Sequence, residues 1–228
     1  MRPYVLVSLW SEADEATRCS HAFALKLRER RAPLAFISGT HPDPEELRQA
    51  VAMSPQASIV LFAHGGSALS ACRAGAPWIA AEELAQHVSG RRVYAFACST
   101  FAPNPALFYS TFACQAVSAC IEVFVGHAAP VMTPFADQGD ASQKMEDALL
   151  RLIESFIDGE DDQDELVSIG RGNAPWDVAF DLPLDLPSQS PGVEGALGWS
   201  SAAFLQGFFQ SLRVRTKADD ASLAATGP

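Results

Sequence analysis

The chain of 228 residues carries 16 basic and 27 acidic side chains, which gives a formal net charge of -11 at neutral pH. So acidic a chain disfavours binding to nucleic acid or to an anionic membrane surface. No apolar run approaches the ~20 residues that a membrane-spanning helix needs. The length suits one domain with appendages better than two independent domains.

The N-terminal segment also bears on the compartment. Its apolar run turns acidic where a signal peptide would present small residues for cleavage, so we interpret it as the first strand of the fold and expect a cytoplasmic protein. Five cysteines, without a C-x-x-C pair, indicate neither a disulfide framework nor a zinc site, and we expect reduced thiols. The sequence has no H-E-x-x-H motif, no lysine-bearing glycine-rich loop and no G-x-S-x-G motif, so we expect no metal and no cofactor.

Apolar runs of strand length alternate with helical patterns over the first two thirds of the chain. Such runs, continuous rather than alternating, indicate strands that are buried on both faces, with helices as the covering layers. The pattern therefore predicts an α/β fold with a doubly wound, mostly parallel sheet and helices on both faces. The predicted strands are residues 4–10, 33–38, 58–63, 92–97 and 121–126, and the predicted helices are 14–31, 44–53, a short one within 78–88, one that starts at 104–105, and 138–158.

After residue 158 the pattern changes. An acidic run at 159–165 predicts a solvated loop, and the proline- and glycine-rich stretch 172–198 has no clear period. An apolar helix is predicted at 199–212, packed on the flank of the sheet or against a partner chain. We therefore predict a core over residues 1–158, an extension of the same domain over 159–212 and a flexible tail over 213–228.

His64 and Cys98 each follow the last apolar residue of a predicted strand. Ligands of parallel sheets bind at the carboxyl ends of the strands, and neighbouring strands lie ~4.8 Å apart. If these two strands are neighbours, the two side chains form a candidate catalytic pair. Imidazole can take the proton of a thiol and return it to a leaving amine, and the thiolate is the form that attacks a carbonyl.

Two glycines, Gly65 and Gly66, come directly after the histidine. Glycine allows a sharp turn and a close approach of the backbone to a substrate, so the amides of both, with that of Cys98, are candidates for an oxyanion hole. The alternatives remain that the glycines only form a turn and that the cysteine only fills the core. The combination of both features is what favours a site.

Four stretches, FAHGG at 62–66, WIAAEEL at 78–84, FACST at 96–100 and FVGHAAPV at 124–131, carry a resemblance. They resemble the caspase-like cysteine peptidases of clan CD, most of all the bacterial CHAT group, over roughly residues 4–158. The resemblance implies a caspase-hemoglobinase-like sheet in which His64 is the general base and Cys98 the nucleophile of an endopeptidase without a metal. It also implies a protein or peptide substrate and a role in bacterial signalling or defence, with a regulatory protein partner or proteolysis as the activating event.

Two further residues are candidates for binding the substrate. His127 follows the strand at 121–126, at the same edge as the pair, and Asp137 lies in the loop after it. In the related separase group an acid in the comparable stretch accompanies a basic preference, so we expect cleavage after arginine or lysine, although Asp137 could equally be a helix cap or a surface residue. The alternative function is a caspase-fold binding or regulatory domain without catalysis, which the intact histidine and cysteine disfavour.

Overall fold

The computed structural model describes residues 2–129, 140–172 and 208–219. Its strands are β1 (Tyr4–Leu9), β2 (Ala35–Gly39), β3 (Ser58–Phe62), β4 (Ala68–Leu69), β5 (Ile79–Ala80), β6 (Arg92–Phe96), β7 (Val123–His127) and β8 (Leu212–Thr216). Its helices are α1 (Glu15–Arg30), α2 (Pro44–Ala52), α3 (Ala81–His87), α4 (Phe112–Ser118), α5 (Asp140–Asp158) and α6 (Gln163–Arg171), with a 3₁₀ turn at Pro105–Leu107.

Six of these strands form one sheet in the order β2-β1-β3-β6-β7-β8. The first five are parallel, and β8 runs antiparallel to β7 at one edge. The short strands β4 and β5 form a separate antiparallel pair. The predicted mostly parallel α/β sheet is therefore confirmed.

Helices cover both faces of the sheet. Alternate residues of each strand point to opposite faces, so Val5 and Val7 of β1 pack with α2, α3 and α4, while Tyr4 and Leu6 pack with α1, α5 and α6. All four of these side chains are almost wholly buried. This double burial explains why the strands read as continuous apolar runs.

The helix starts follow capping rules. Asp14 caps α1 by accepting a hydrogen bond from the backbone N–H of Thr17, and Asp43 caps α2 in the same way from Glu45, with Pro44 at the first helical position. The predicted helix start at Asn104 is only the 3₁₀ turn. The helix that follows, α4, begins at Phe112 after its own cap, Thr111.

Two predictions for the C-terminal third need correction. The acidic run at 159–165 is a loop only in part, because Asp162 caps α6 and residues 163–165 form the first turn of that helix. Acidic side chains suit this place, since a helix N-terminus carries a partial positive charge. The tail predicted from residue 213 is also wrong at its start, because Leu212–Thr216 pair with β7 as β8.

Of the apolar helix predicted at 199–212, residues 199–207 lie outside the described part of the chain. Residues 208–211 form a helical turn, and Phe208 and Phe209 are both buried in the layer with α5 and α6. For these residues the chain's own core is the packing partner. No helix in the described ranges is both long and apolar enough to cross a bilayer.

At the edge of the sheet, two outward backbone amides of β8 are hydrogen-bonded. The N–H of Val214 donates to Oε1 of Gln163 at 3.4 Å, and the N–H of Thr216 donates to Oδ2 of Asp219 at 2.7 Å. Both acceptors are side chains, from α6 and from the turn that follows the strand.

Candidate active site

His64 and Cys98 lie at the tips of two adjacent strands. Strands β3 and β6 are parallel neighbours with Phe62 opposite Phe96, and the N–H of Ala63 donates to the carbonyl of Phe96 at 3.3 Å. His64 and Cys98 each come two residues after the members of this last pair. The strand adjacency on which the predicted pair depends is therefore confirmed.

Both side chains also line one small cavity. It has about 20 Å³ of free space, and its other walls come from the start of α1 and from the strand tips, namely Ala16, Thr17, Ser20, Ala63, Phe96 and Ala97. A space of this size holds about one water molecule. Cys98 is partly exposed, and 18% of the His64 side chain is accessible. The pair is thus partly open to solvent, beside a cavity with room for about one water molecule.

Gly65 brings the two tips into backbone contact. A Cβ atom at this position would lie 2.0 Å from the carbonyl oxygen of Cys98 and 3.1 Å from its nitrogen. Real Cβ atoms essentially never come within 3.0 Å of another atom, so only glycine fits here. Forming a turn does not by itself explain the glycine at position 65. Its lack of a side chain lets the backbone approach Cys98 closely.

Two of the candidate oxyanion donors are the backbone amides of the glycine pair. In the described part of the chain, no hydrogen bond uses the amide N–H of Gly65 or that of Gly66. Gly66 has a φ of +155° with open space around it, a conformation that suits glycine. Both N–H groups are available to an anionic oxygen that forms beside Cys98.

The carboxylate that caps α1 also fixes the histidine ring. Oδ2 of Asp14 lies 2.9 Å from Nε2 of His64 and also accepts a hydrogen bond from the backbone N–H of Arg73 at 3.3 Å. Oδ1 of Asp14 accepts from the N–H of Thr17 at 3.1 Å. The cap of α1 and the partner of the histidine are therefore one side chain, held from three directions.

The protonation of Asp14 follows from these contacts. Burial alone would raise the pKa of its carboxyl group, but hydrogen bonds from Thr17, His64 and Arg73 outweigh burial and lower the pKa below its usual value. The ionised carboxylate only accepts, so Nε2 of His64 carries the hydrogen in the neutral ring. Nδ1 is then the basic nitrogen that can take a proton from a thiol.

The turn after Cys98 is anchored to the end of β7. Ser99 adopts a left-handed backbone with φ of 55°, and its N–H donates to the carbonyl of Ala129 at 3.2 Å. Thr100 is fully buried, and its Oγ1 accepts from the N–H of His127 at 3.0 Å. These bonds hold the backbone on the C-terminal side of Cys98 in one conformation.

His127 does not have the position that a substrate contact requires. Its ring is completely buried against Phe96 and Phe208, Nδ1 is 3.0 Å from Oγ of Ser211, and burial lowers its pKa to about 3. The cause is strand alternation, since His127 continues the alternation of Val123 and Val125 of β7, whose side chains pack in the layer with α5. The predicted substrate role is wrong for the ring in this conformation, and the neutral imidazole is part of the core.

The other predicted features are quickly placed. Asp137 lies outside the described residues. All five cysteines lie in the described part of the chain, and none is in a disulfide. Cys72 is partly exposed, and the residue after it, Arg73, contacts Asp14. Among the residues described, no group of three or more His, Cys, Asp or Glu side chains is arranged to hold a metal ion.

The chain matches no protein-family model, and no curated protein is significantly similar to it.

Proposed function

We propose that this chain is a cysteine endopeptidase in which Cys98 is the nucleophile, His64 the general base and Asp14 the residue that orients His64. The observation that carries the proposal is the meeting of the two strand tips, enforced by the contact between Gly65 and the backbone of Cys98. A histidine held by a carboxylate beside a partly exposed thiol is the arrangement that activates a nucleophile.

The proposed reaction proceeds in two stages. Nδ1 of His64 takes the proton of the Cys98 thiol, and the thiolate attacks the carbonyl carbon of a peptide bond. The negative charge that forms on the carbonyl oxygen is stabilised by the amides of Gly65 and Gly66. The imidazolium, paired with the Asp14 carboxylate, returns its proton to the leaving amine, and water then hydrolyses the thioester.

We also propose that the sheet has the fold of the caspase-like peptidases. The order of the parallel strands, with histidine after β3 and cysteine after the neighbouring β6, supports the resemblance to the caspase-like peptidases and their CHAT group. With that resemblance come a polypeptide substrate, a cytoplasmic location and control by a protein partner within a bacterial signalling or defence system.

Covalent labelling tests the proposal. The protein is treated with a panel of short peptidyl acyloxymethyl ketones and, separately, with iodoacetamide, and the modified cysteine is identified by mass spectrometry. We expect one peptidyl reagent or more to label Cys98, to lose that label in Cys98→Ala and to react far more slowly with His64→Ala. Cys72→Ala is the matched control, because Cys72 is also partly exposed and lies in the loop beside Asp14.

The opposite result is equally clear. If peptidyl reagents label the five cysteines without preference, and the rate at Cys98 is the same in His64→Ala, the pair is not a peptidase site. The non-catalytic binding domain would then be the better interpretation.

A further inference from the structure

The segment that follows Cys98 in the sequence lacks charged side chains, which is unusual for so acidic a chain. Residues 98–121 contain no Asp, Glu, Lys, Arg or His, although the whole chain has a net charge of -11. The segment includes the turn after Cys98, a loop at 102–111 and α4. A segment this long without charged side chains, starting at the proposed catalytic residue, favours an uncharged ligand at its exposed loop.

Two large aromatic side chains stand at the end of this loop. Phe108 is 94% exposed and Tyr109 is 75% exposed, the highest values among the large hydrophobic residues that the structure describes. The other two exposed residues of this kind, Leu34 and Met53, lie singly in other parts of the chain. Adjacent exposed aromatic residues are typical of the residues that contribute most to binding at interfaces.

The backbone of these two residues is strained as well. Phe108 has φ of 52° and Tyr109 has φ of 63°, the left-handed region that L-residues with bulky side chains rarely occupy. Glycine would adopt this conformation without strain. Retaining two aromatic residues here costs stability in the free protein, and strain of this kind concentrates at sites of ligand contact.

The loop is nevertheless held firmly. The carbonyl of Asn104 accepts hydrogen bonds from the N–H groups of Leu107 and Tyr109, both at 2.9 Å, and the N–H of Asn104 donates to the carbonyl of Ser110 at 3.0 Å. The loop is thus closed at its base. Ser110 also lines a groove of about 410 Å³ between α3 and α4, whose α3 wall carries Glu82 and Gln86 and whose α4 wall is uncharged.

We propose that Phe108 and Tyr109 are an anchor for an uncharged, apolar segment of the polypeptide on which Cys98 acts, so that the substrate is held at a place separate from the bond that is cleaved. The inference rests on the proposed function for the identity of this occupant. Three observations favour this occupant. The loop is continuous with Cys98, residues 98–121 carry no charge, and the backbone of Phe108 and Tyr109 is strained. Occupancy of the groove by a neighbouring substrate side chain would follow from the same placement.

Peptide binding tests the anchor without requiring turnover. The Cys98→Ala chain is titrated against fluorescein-labelled 12-residue peptides built from Ala, Val, Leu, Phe and Ser, and against the same peptides with Lys or Asp at every third position. We expect the uncharged peptides to bind more tightly, and we expect Phe108→Gly with Tyr109→Gly to weaken the best of them by tenfold or more. Met53→Ser is the matched control, since it removes an exposed hydrophobic side chain elsewhere and should leave the affinity unchanged.

Thermal unfolding of the same variants separates binding from folding. The two glycine substitutions relieve backbone strain and remove little buried surface, so the melting temperature should stay the same or rise while binding is lost. A fall in melting temperature would mean that the aromatic residues support the fold, and it would overturn the anchor. Absence of binding by any peptide, or equal binding by the glycine variants, would overturn it as well.

Other occupants have distinct outcomes. A parent protein whose mass rises reversibly with concentration, with glycine variants that stay monomeric, would assign the surface to a second copy of the chain. Binding to phosphatidylcholine vesicles that the variants lose would assign it to a lipid surface. Failure of the peptidyl reagents to label Cys98 in the parent would count against the peptidase, whereas peptide binding by the Cys98→Ala chain tests the anchor independently of that reaction.

Discussion

Replacing Gly65 with alanine would place a methyl carbon 2.0 Å from the carbonyl oxygen of Cys98, about 1 Å inside the 3.0 Å limit that real Cβ atoms keep. The atom it meets belongs to the backbone at the tip of β6, which cannot rotate away as a side chain could. The tips of β3 and β6 would have to separate by about that distance. Overpacking of this kind costs typically about 1–3 kcal/mol.

The catalytic effect should exceed the effect on stability. A misplacement of about 1 Å between reacting groups can cost on the order of 100-fold in rate. We therefore expect Gly65→Ala to reduce the rate of Cys98 labelling by a peptidyl reagent about 100-fold, and to lower the free energy of unfolding by about 1–3 kcal/mol in urea titrations. Far-ultraviolet circular dichroism should stay close to that of the parent.

Gly66→Ala is the matched control. A Cβ atom at Gly66 meets nothing within 4 Å, although its φ of +155° is unfavourable for alanine. This variant should show the cost of backbone strain alone, with a smaller loss of labelling than Gly65→Ala. If Gly65→Ala keeps both the stability and the labelling rate of the parent, the two strand tips do not touch, and the reasoning about the site fails.

Three further predictions concern residues around the site and the sheet. Asp14→Asn keeps an N-cap for α1 but alters the partner of Nε2 of His64. Labelling of Cys98 should slow by about 100-fold or more, while the free energy of unfolding changes by less than about 1 kcal/mol. Unchanged labelling would remove Asp14 from the site. Burial holds the pKa of His127 at about 3 in the folded protein, whereas the unfolded chain has the ordinary value of 6.5. Between these two values the unfolded state binds the extra proton, so the free energy of unfolding should fall as pH drops from about 6.5 toward 3, by up to about 1.4 kcal/mol per pH unit. His127→Met should flatten this slope in urea titrations, and an identical slope would show that other groups cause it. Leu212 is fully buried at the start of β8, so Leu212→Ala should cost about 2–5 kcal/mol; a cost near zero would restore the flexible tail.

The sequence predicted the part of the fold that depends on continuous apolar runs. Strands β3 and β6 are buried on both faces, and the polar residues that end their apolar runs, His64 and Cys98, mark the edge of the sheet where a site can form. Whether His64 and Cys98 are adjacent depends on the order of the strands in the sheet. The alternation of strands and helices limits the possible orders but does not select one. The register of β3 with β6 and the contact at Gly65 required coordinates.

Three misses have separate physical causes. Asp14 has a complete local explanation as a helix cap, and nothing in the sequence indicates that its second oxygen reaches a histidine 50 residues away. Arg213 and Arg215 make β8 read as a polar tail, because an edge strand is covered less completely than a central one. His127 could have been assigned from the sequence, since it keeps the alternation of Val123 and Val125 and so faces the core.

The capped edge at β8 limits how this protein can associate with other chains. An edge strand with unpaired amides is a template on which a strand from another molecule can dock, extending the sheet from one copy to the next. Here Gln163 and Asp219 occupy the outward amides of Val214 and Thr216, so an incoming strand would first have to displace both side chains. Growth of fibres or ribbons from this side of the sheet is therefore opposed, because a docking strand would meet these two side chains before it reached the amides.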